Sequence, residues 1–290
     1  MHAVNIADFS TDVPSAPIPS YLTRGAHEAK GMGNPTVLLF TLALGVGAAG
    51  VTGYLRWHWP DAAVLLIDAL GLYLGFTVLH DAVHGVAHVN RLASRLMATA
   101  IGFLLTFTYP FFLRIHLRHH AHTNCAGADP DAILAALPAW AAPWLGGVLL
   151  YGSYHYSFFR QKLWRSRMEC VEVVLCDAAY LGILAGAIHG GWLHGLLVVW
   201  VLPLILTLHW LVYTFDYLPH APHDSSARLY CARAYGGRWL AVLHLNQNYH
   251  LIHHLWPKVP WFRYRQVYLA QAPALAKLGC RVGWKERPPS

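Results

Sequence analysis

Charged side chains are scarce in this sequence of 290 residues. Asp, Glu, Lys and Arg make up 12% of it, whereas about 25% is usual in soluble proteins. Hydrophobic residues reach 56% of the chain, with 12 Trp and 15 Tyr among its aromatic residues. This balance is typical of an integral membrane protein, in which Trp and Tyr gather at the two membrane interfaces.

Several motifs that are typical of other protein classes are also absent. The five cysteines contain no C-x-x-C pair and are odd in number, which disfavours an iron–sulfur site, a thiolate zinc site and a disulfide scaffold. No H-E-x-x-H is present, so a zinc protease is disfavoured. No basic segment precedes a short apolar run near the start, so no secretory signal is expected.

The apolar residues gather in four segments of about 20 residues, the length that crosses a bilayer. Residues 1–33 are polar and contain three prolines, and we expect a mobile arm there, followed by a single membrane domain at 34–290. The predicted fold class is all-α, a bundle of about four transmembrane helices with additional interfacial helices. The predicted spans are residues 36–55, 62–79, 171–188 and 193–213.

Histidines concentrate in three boxes, H-D-A-V-H at 80–84, H-L-R-H-H at 116–120 and H-L-I-H-H at 250–254. On a helix, residues three and four apart share a face, so each box points its imidazoles in one direction. Neutral imidazole binds zinc, copper, iron and nickel, but one zinc site uses only three or four protein ligands. The boxes therefore predict two metal ions. The predicted ligands are His80, His84, His116, His119, His120, His250, His253 and His254, with His220 after the fourth span as a ninth.

Soluble di-iron proteins use Glu and Glu-x-x-His ligands, which this sequence lacks. We therefore expect two iron ions held by imidazole, able to activate dioxygen against an unactivated C–H bond of a lipid-soluble substrate. Asp68 lies inside the second span, where a carboxylate costs roughly 2.5–3.5 kcal/mol, and is expected to face the bundle interior. The carboxylates predicted to orient the histidine ligands or to hold a water are Asp81, Asp129, Asp131 and Asp216.

The three boxes must lie on one side of the membrane to share a site. Residues 92–113 are apolar enough to span, but a crossing there would separate the first box from the second. We therefore predict that 92–113 re-enters or lies in the interface, and that 133–159 forms broken or interfacial helices. Among the 21 Lys and Arg, only Arg56 falls in the short connections on the opposite side, so the positive-inside rule places the boxes on the cytoplasmic side. Basic residues beside spans also disfavour nucleic acid as a partner of this +7 chain.

Longer motifs surround the histidines. They are H-D-x-x-H-G at 80–85, H-x-x-H-H-x-x-T-N at 116–124, D-P-D at 129–131, F-D-Y-L-P-H at 215–220 and Q-N-Y-H-L-I-H-H-L-W-P-x-x-P-W at 247–261. With these motifs the chain resembles the membrane fatty-acid-desaturase superfamily, and within it the cyanobacterial-type beta-carotene hydroxylases. The separate boxes indicate only the superfamily, whereas the two longer strings, ending at His220 and Trp261, point to carotenoids.

This resemblance implies a non-haem di-iron centre and dioxygen as co-substrate. It implies hydroxylation of carbon 3 on the beta-ionone ring of a carotenoid such as beta-carotene, towards zeaxanthin. It also implies an external electron donor of the ferredoxin type, in agreement with the absence of any flavin, haem or iron–sulfur signature. The surroundings would be the lipids of a cell inner membrane, or of a thylakoid if the host has one.

Other functions stay open. A carotenoid 4-ketolase or an acyl-lipid desaturase of the same superfamily shares the histidine boxes. A metal transporter or a bis-histidine haem protein is disfavoured, because those proteins place their ligands within the spans, whereas these boxes sit at span ends and in polar segments. His88 and His122 continue the box spacing, and the sequence leaves their ligation undecided.

Overall fold

The computed structural model describes residues 34–283, so the predicted arm at 1–33 lies outside the described residues, and the single domain at 34–290 stays a prediction. The described chain is almost entirely helical, as expected. The helices are α1 Pro35–Trp57, α2 Asp61–Val83, α3 Arg91–Leu104, α4 Tyr109–His122, α5 Ala142–Arg160, α6 Arg167–His189, α7 Leu193–His220, α8 Arg238–Leu243, α9 His250–Leu255 and α10 Tyr264–Lys277. Short 3-10 helices occupy Pro130–Ala136, Gln247–Tyr249 and Trp261–Arg263. The two-residue strands β1 Arg233–Ala234 and β2 Arg281–Val282 pair in parallel.

Four helices are long and apolar enough to cross a membrane, namely α1, α2, α6 and α7. They contain the four predicted spans, which are thereby confirmed, and the protein is an integral membrane protein. Side chains define where two of these helices start. Asn34 accepts a hydrogen bond from the N–H of Thr36 at the start of α1, and Ser166 accepts one from the N–H of Glu169 in α6, as helix N-caps do.

Residues 92–113 do not form one straight span. Helices α3 and α4 meet at a bend of 93°, and the intervening turn includes Thr106 with a positive φ of 60°. Pro110 lies in the first turn of α4, where its missing N–H has no helical partner to lose. Because the first and second boxes meet in space, the segment returns to the side from which it entered, as predicted.

The stretch 133–159 is divided as expected, although Pro143 starts a helix rather than breaking one. Pro130–Ala136 is a 3-10 turn, Pro138 follows it, and α5 then runs without interruption to Arg160. Helix α5 packs against α7 and against the 3-10 turn. It is not among the four candidate spans.

Two hydrophobic cores hold the described chain together. The larger core lies among the spans and α3–α5, with Val78, Leu79 and Ile115 fully buried. The smaller core joins α9 and α10 to the two strands, and Tyr249 and Tyr264 lie at its centre. Trp261 packs against both cores. The segment that carries the third box is thereby fixed against the ends of the spans that carry the first box and His220.

Candidate metal centre

All nine predicted ligands converge at one end of the helix bundle, in two sets. Set A comprises His80, His84, His116, His120 and His253, and set B comprises His119, His220, His250 and His254. In set A the Nε2 atoms of His80 and His253 are 3.1 Å apart, and those of His116 and His84 are 2.9 Å apart. His120 joins set A because its Nε2 lies 3.1 Å from that of His116 and 2.8 Å from that of His253.

Set B is built in the same way. The Nε2 of His250 lies 3.0 Å from the Nε2 of His220 and 3.0 Å from that of His254. His119 faces the same point, since its ring stands 4.9 Å from that of His220 and 5.1 Å from that of His254. The Nε2 of His119 is buried and has no hydrogen-bond partner. In each set the facing ring nitrogens therefore have no hydrogen-bond partner outside the set.

Helix geometry explains how three boxes supply two sets. With 3.6 residues per turn, positions four apart differ by about 40° around the axis, whereas neighbouring positions differ by about 100°. Each pair at i and i+4 therefore stays in one set, as His116 and His120 do in set A and as His250 and His254 do in set B. In the second and third boxes one further histidine remains, His119 or His253, and it turns towards the other set.

The spacing of the nitrogen atoms fits metal ligands at right angles. Two nitrogens bound to one ion at about 2.1 Å lie about 3.0 Å apart at 90° and about 3.4 Å apart at the tetrahedral angle. The six Nε2–Nε2 pairs that lie within hydrogen-bond distance are 2.8 to 3.1 Å apart. Zinc in structural sites is almost always tetrahedral, so both sets fit an ion of higher coordination number better than a structural zinc ion.

The opposite ring nitrogens fix the tautomers of several ligands. The Nδ1 of His220 lies 2.8 Å from the carbonyl oxygen of Cys231. Because a carbonyl oxygen only accepts, this Nδ1 carries the proton, and Nε2 carries the free lone pair. The Nδ1 of His253 lies 2.9 Å from the hydroxyl of Tyr264. Partners of this kind orient metal-binding imidazoles and increase their basicity.

Two of the predicted carboxylates hold His119. Its Nδ1 lies 3.0 Å from Asp129 and 3.3 Å from Asp131. Asp129 also accepts hydrogen bonds from the N–H groups of Asn124 and Asp131, which fix the D-P-D turn beneath the second box. The turn therefore fixes the orientation of the His119 ring.

Electrostatics divides the ligands into two kinds. Burial, and then the neighbouring imidazoles, hold the pKa of His84, His116 and His253 well below the ordinary histidine value, so these rings offer free lone pairs at neutral pH. Burial also lowers the pKa of His119, but Asp131 and Asp129 raise it to a net value of about 10. The acid pair thus stabilises positive charge at this ring.

The other two predicted carboxylates, Asp81 and Asp216, make no hydrogen bond to an imidazole among the described residues. Asp81 accepts hydrogen bonds from the hydroxyl of Thr36 at 3.2 Å and from the N–H of Trp261 at 3.3 Å. It ties the start of α1 and the segment after the third box to the helix that carries the first box. Asp216 lines the cleft described below.

The remaining histidines that the sequence left open lie outside both sets. His88 accepts a hydrogen bond from the N–H of Asn90, and His122 lies 2.7 Å from Arg118. His209, within the fourth span, donates through Nδ1 to the carbonyl of Ile205.

A narrow, mostly apolar cleft reaches both sets. It lies between α2, α4, α5 and α7 and has a cavity volume of about 30 Å³. His80 and His116 of set A and His250 of set B line its inner end. Its walls carry Phe76, Phe107, Phe112, Leu150, Leu208, Leu211, Val212 and Phe215, and its polar lining includes Tyr151, Tyr154, Asp216 and Gln247. The histidines of both sets are thereby bordered by a mostly apolar lining.

Three residues at the site were not among the site residues predicted from the sequence. Tyr264 contacts His253, and the hydroxyl of Tyr154 donates to Asp131 at the edge of the cleft. Gln247 is buried, lines the cleft, and its side-chain nitrogen has no hydrogen-bond partner. Gln247 stands three residues before the third box, and this proximity is the one signal that the sequence offers.

Comparison with known proteins gives consistent results. The family model described as fatty acid desaturase matches residues 57–285, which contain all nine histidines. A beta-carotene ketolase of Paracoccus sp. (strain PC1) is 31% identical over 213 residues, which cover 70% of this chain and 78% of the ketolase.

Two further relatives carry desaturase names. Dihydrorhizobitoxine desaturase of Bradyrhizobium elkanii is 27% identical over 269 residues, which cover 78% of this chain and 72% of that protein. Acyl-lipid (7-3)-desaturase of Diacronema lutheri is 26% identical over 296 residues, covering 86% and 65%. The family match therefore covers α2, α6, α7 and all three boxes, and the relatives are named for different substrates.

Proposed function

Because the chain belongs to the fatty acid desaturase family, we propose that it is a membrane enzyme that oxidises a ring of a carotenoid with dioxygen. The observation that carries this proposal is the apolar cleft ending on members of both histidine sets. Such a cleft brings an apolar substrate to a metal centre and keeps bulk water away from it. In this enzyme class a pair of iron ions supplies the activation of dioxygen.

The residues of the two sets fit iron. Set A offers five imidazole nitrogens and set B offers four, at spacings near 3.0 Å, and imidazole is a suitable ligand for iron. Asp129 and Asp131 place negative charge next to His119, which compensates part of the charge of a cation in set B. We assign the ligand roles of all nine histidines on this basis.

The walls of the cleft determine what is oxidised. Phe76 contacts the ring of His80 and Phe112 stacks on that of His116, and Phe215 packs against Phe76. They exclude water and present flat apolar surfaces to a ring or polyene. The amide nitrogen of Gln247 is the donor that can hold an oxygen on the ring, because it is buried without a partner at the inner end.

For the product we propose a hydroxyl group at carbon 3 of the beta-ionone ring, as formed on the way to zeaxanthin. The two longer motifs at 215–220 and 247–261 support this choice. A 4-ketolase is the second candidate, since the Paracoccus relative carries that activity in its name. An acyl-lipid desaturase is the third, supported by the Diacronema relative.

Turnover requires electrons that the described residues do not supply by themselves, and we propose an external donor of the ferredoxin type. We further propose that the metal centre faces the cytoplasm. On the far side, Arg56 in the last turn of α1 is the one Lys or Arg near the ends of the described spans, and by the positive-inside rule this supports the cytoplasm for the histidine side. The membrane would be a cell inner membrane or a thylakoid.

Pigment analysis tests the proposed activity. The chain is produced in a bacterium that makes beta-carotene, and extracts are separated by chromatography with mass spectrometry. A product that gains oxygen and keeps its hydrogens is expected for the hydroxylase. A product that gains oxygen and loses two hydrogens per modified ring identifies the ketolase. Unchanged carotene with altered acyl lipids in iron-loaded cells would replace both with the desaturase.

A further inference from the structure

His120 is the one ligand of the two sets that is not buried. The other eight histidines are each at most 7% exposed, whereas His120 is partly exposed. Its ring lies 4.8 Å from that of His84 in set A and 4.3 Å from that of His254 in set B. The outer surface of the protein therefore approaches both sets at this residue.

Two cationic side chains are fixed beside the neighbours of His120 by backbone carbonyl groups. The Nζ of Lys258 donates to the carbonyl of His84 at 2.7 Å. A guanidinium nitrogen of Arg228 donates at 2.6 Å to the carbonyl of Leu255, the last residue of α9. Lys258 is exposed and Arg228 is partly exposed. Together with His120 they form a surface that we call the entry face.

The part of the chain that carries the third box is strongly basic. Residues 225–290 contain ten of the 21 Lys and Arg but only one of the 14 acidic residues, Glu286, whereas the whole chain has a net charge of +7. The rest of the chain is therefore slightly acidic. Asp224, just before this part, pairs with Arg281. The positive charge thus concentrates in the part that supplies both cations of the entry face, and a field of this kind attracts an acidic partner.

The entry face lies beyond the end of a span rather than along its side. Helix α2 ends at Val83, and His84 and the exposed Gly85 follow it. A Cβ atom at Gly85 would lie 3.7 Å from the Nζ of Lys258, so the ammonium group covers this end of the helix. Lipid tails contact the sides of spans, whereas the end of α2 meets the aqueous phase. The face is therefore open to a water-soluble protein.

We propose that an acidic electron-carrier protein docks on the entry face and that electrons reach the metal centre through His120. The proposal rests on the oxidation proposed above, since that reaction requires an external donor. Complementary charge accelerates the encounter of two proteins and sets their orientation. Arg228 and Lys258 then direct the acidic surface of the carrier to the exposed ligand.

The electron balance requires the carrier to dock twice in each turnover. One encounter oxidises a reduced one-electron carrier by one electron. Two such electrons, with two protons from water, reduce one atom of dioxygen to water, while the other atom enters the substrate. A docking surface that releases the oxidised carrier quickly suits this exchange, and contacts between charges at an exposed rim act mainly on the rate of encounter.

Direct binding tests the proposal with the iron-loaded full chain in phosphatidylcholine nanodiscs and without carotenoid. The probe is an acidic [2Fe–2S] ferredoxin, and cytochrome c, a basic one-electron carrier, is the control protein. We expect ferredoxin to bind at low salt and cytochrome c not to bind. Raising the salt from about 0.01 M to about 1 M shortens the Debye length from about 30 Å to about 3 Å, so the dissociation constant of ferredoxin should rise at least tenfold.

Single-residue variants locate the docking surface. Lys258→Gln keeps a donor for the carbonyl of His84 and removes the charge, and it should weaken ferredoxin binding about fivefold at low salt. Ser226→Glu adds a negative charge at an exposed position two residues before Arg228 and should weaken binding to a similar extent. Ala62→Glu is the matched control, because it adds the same charge at an exposed position in the first turn of α2, on the far side of the membrane, and its binding should stay within twofold.

Iron content reports that the bundle of each variant is intact. Wild-type ferredoxin binding in intact Lys258→Gln and Ser226→Glu variants overturns the proposal. If the face binds anionic lipid instead, Lys258→Gln lowers the phosphatidylglycerol that copurifies with the chain and leaves ferredoxin binding unchanged, which also overturns it. Binding needs no substrate, so a different result in the pigment analysis leaves this test unaffected. Turnover of Ser226→Glu with dithionite as reductant should match the wild type, and only turnover with ferredoxin should fall.

Discussion

The Nδ1 atom of His119 lies 3.0 Å from the Oδ1 atom of Asp129. Asp129 is itself held by two backbone N–H groups of the D-P-D turn, so the carboxylate cannot follow a moving ring. His119 is therefore fixed with its Nε2 towards set B. The metal site depends on this turn as well as on the histidines.

Asp129→Asn should weaken metal binding in set B, because the neutral amide no longer places negative charge behind the Nδ1–H of His119, where that charge makes Nε2 a better donor to a metal ion. Loss of a carboxylate that supports a metal ligand typically costs 10–100-fold in affinity or activity, and we expect a fall of that size. Metal analysis of the purified protein, together with turnover, measures it. Asp177→Asn is the control, since Asp177 pairs with His155 and not with a ligand. Wild-type iron content in Asp129→Asn would refute the role of the turn.

His120→Ala should reduce iron towards one ion per chain and abolish oxidation. The Nε2 of His120 lies within 3.1 Å of two other ligands of set A, so its loss opens one set and leaves the other. His209→Ala is the matched control on the spanning helix α7, because that ring bonds only to the carbonyl of Ile205 among the described contacts. Full activity of His120→Ala would remove it from the ligand set.

Tyr264→Phe should reduce turnover about tenfold while the chain still folds, because the ring remains and only the bond to Nδ1 of His253 is lost. Tyr268→Phe serves as its control, because the ring of Tyr268 contacts the ring of Tyr249 and Phe preserves this contact. Turnover under saturating substrate compares the two variants. An unchanged rate in Tyr264→Phe would mean that His253 is oriented by packing alone.

Leu208→Trp should block the cleft. Leu208 lines it on α7, so the larger side chain takes space that the substrate needs, and oxidation should fall at least tenfold with full iron content. Leu206→Trp adds the same volume on the same helix, but Leu206 is 44% exposed on the outer surface, and activity should stay within twofold. Equal losses in both variants would show that the substrate does not use this cleft.

The bend within residues 92–113 could be predicted from the positions of the histidine boxes. Their apolarity alone predicts another span, yet the requirement that three boxes meet on one side predicts the bend of 93° that joins α3 to α4. Chain topology therefore constrained the fold where hydropathy did not. The pairing of β1 with β2 had no signal, since two-residue strands are too short to show an alternating pattern.

Box spacing selected eight of the nine histidines that converge, and the position after the fourth span selected His220. The place of His116 and His120 in one set agrees with the helical repeat. The assignment of the third box to both sets required the orientation of α9, which only the packing of the smaller core defines. Asp81 illustrates the opposite case. It stands between two ligands in the sequence, but its side chain points to Thr36 and Trp261.

Tyr264 and Gln247 were not predicted as site residues, although Gln247 is the first residue of the motif at 247–261. Each is a single polar residue whose role arises from a contact that is distant or indirect in the sequence. Tyr264 reaches His253 because the chain turns back through Trp261–Arg263 before α10. Gln247 reaches the cleft because its 3-10 turn joins α9 directly.

The source of the oxygen atom in the product tests the central claim most directly. Membranes that contain the iron-loaded enzyme, beta-carotene and a ferredoxin reducing system are supplied with oxygen-18 gas in ordinary water, and the product is examined by mass spectrometry. The account predicts a hydroxylated ring whose new oxygen is oxygen-18, with no product from the His120→Ala variant. An oxygen atom derived from water, or equal product from the variant, would contradict it.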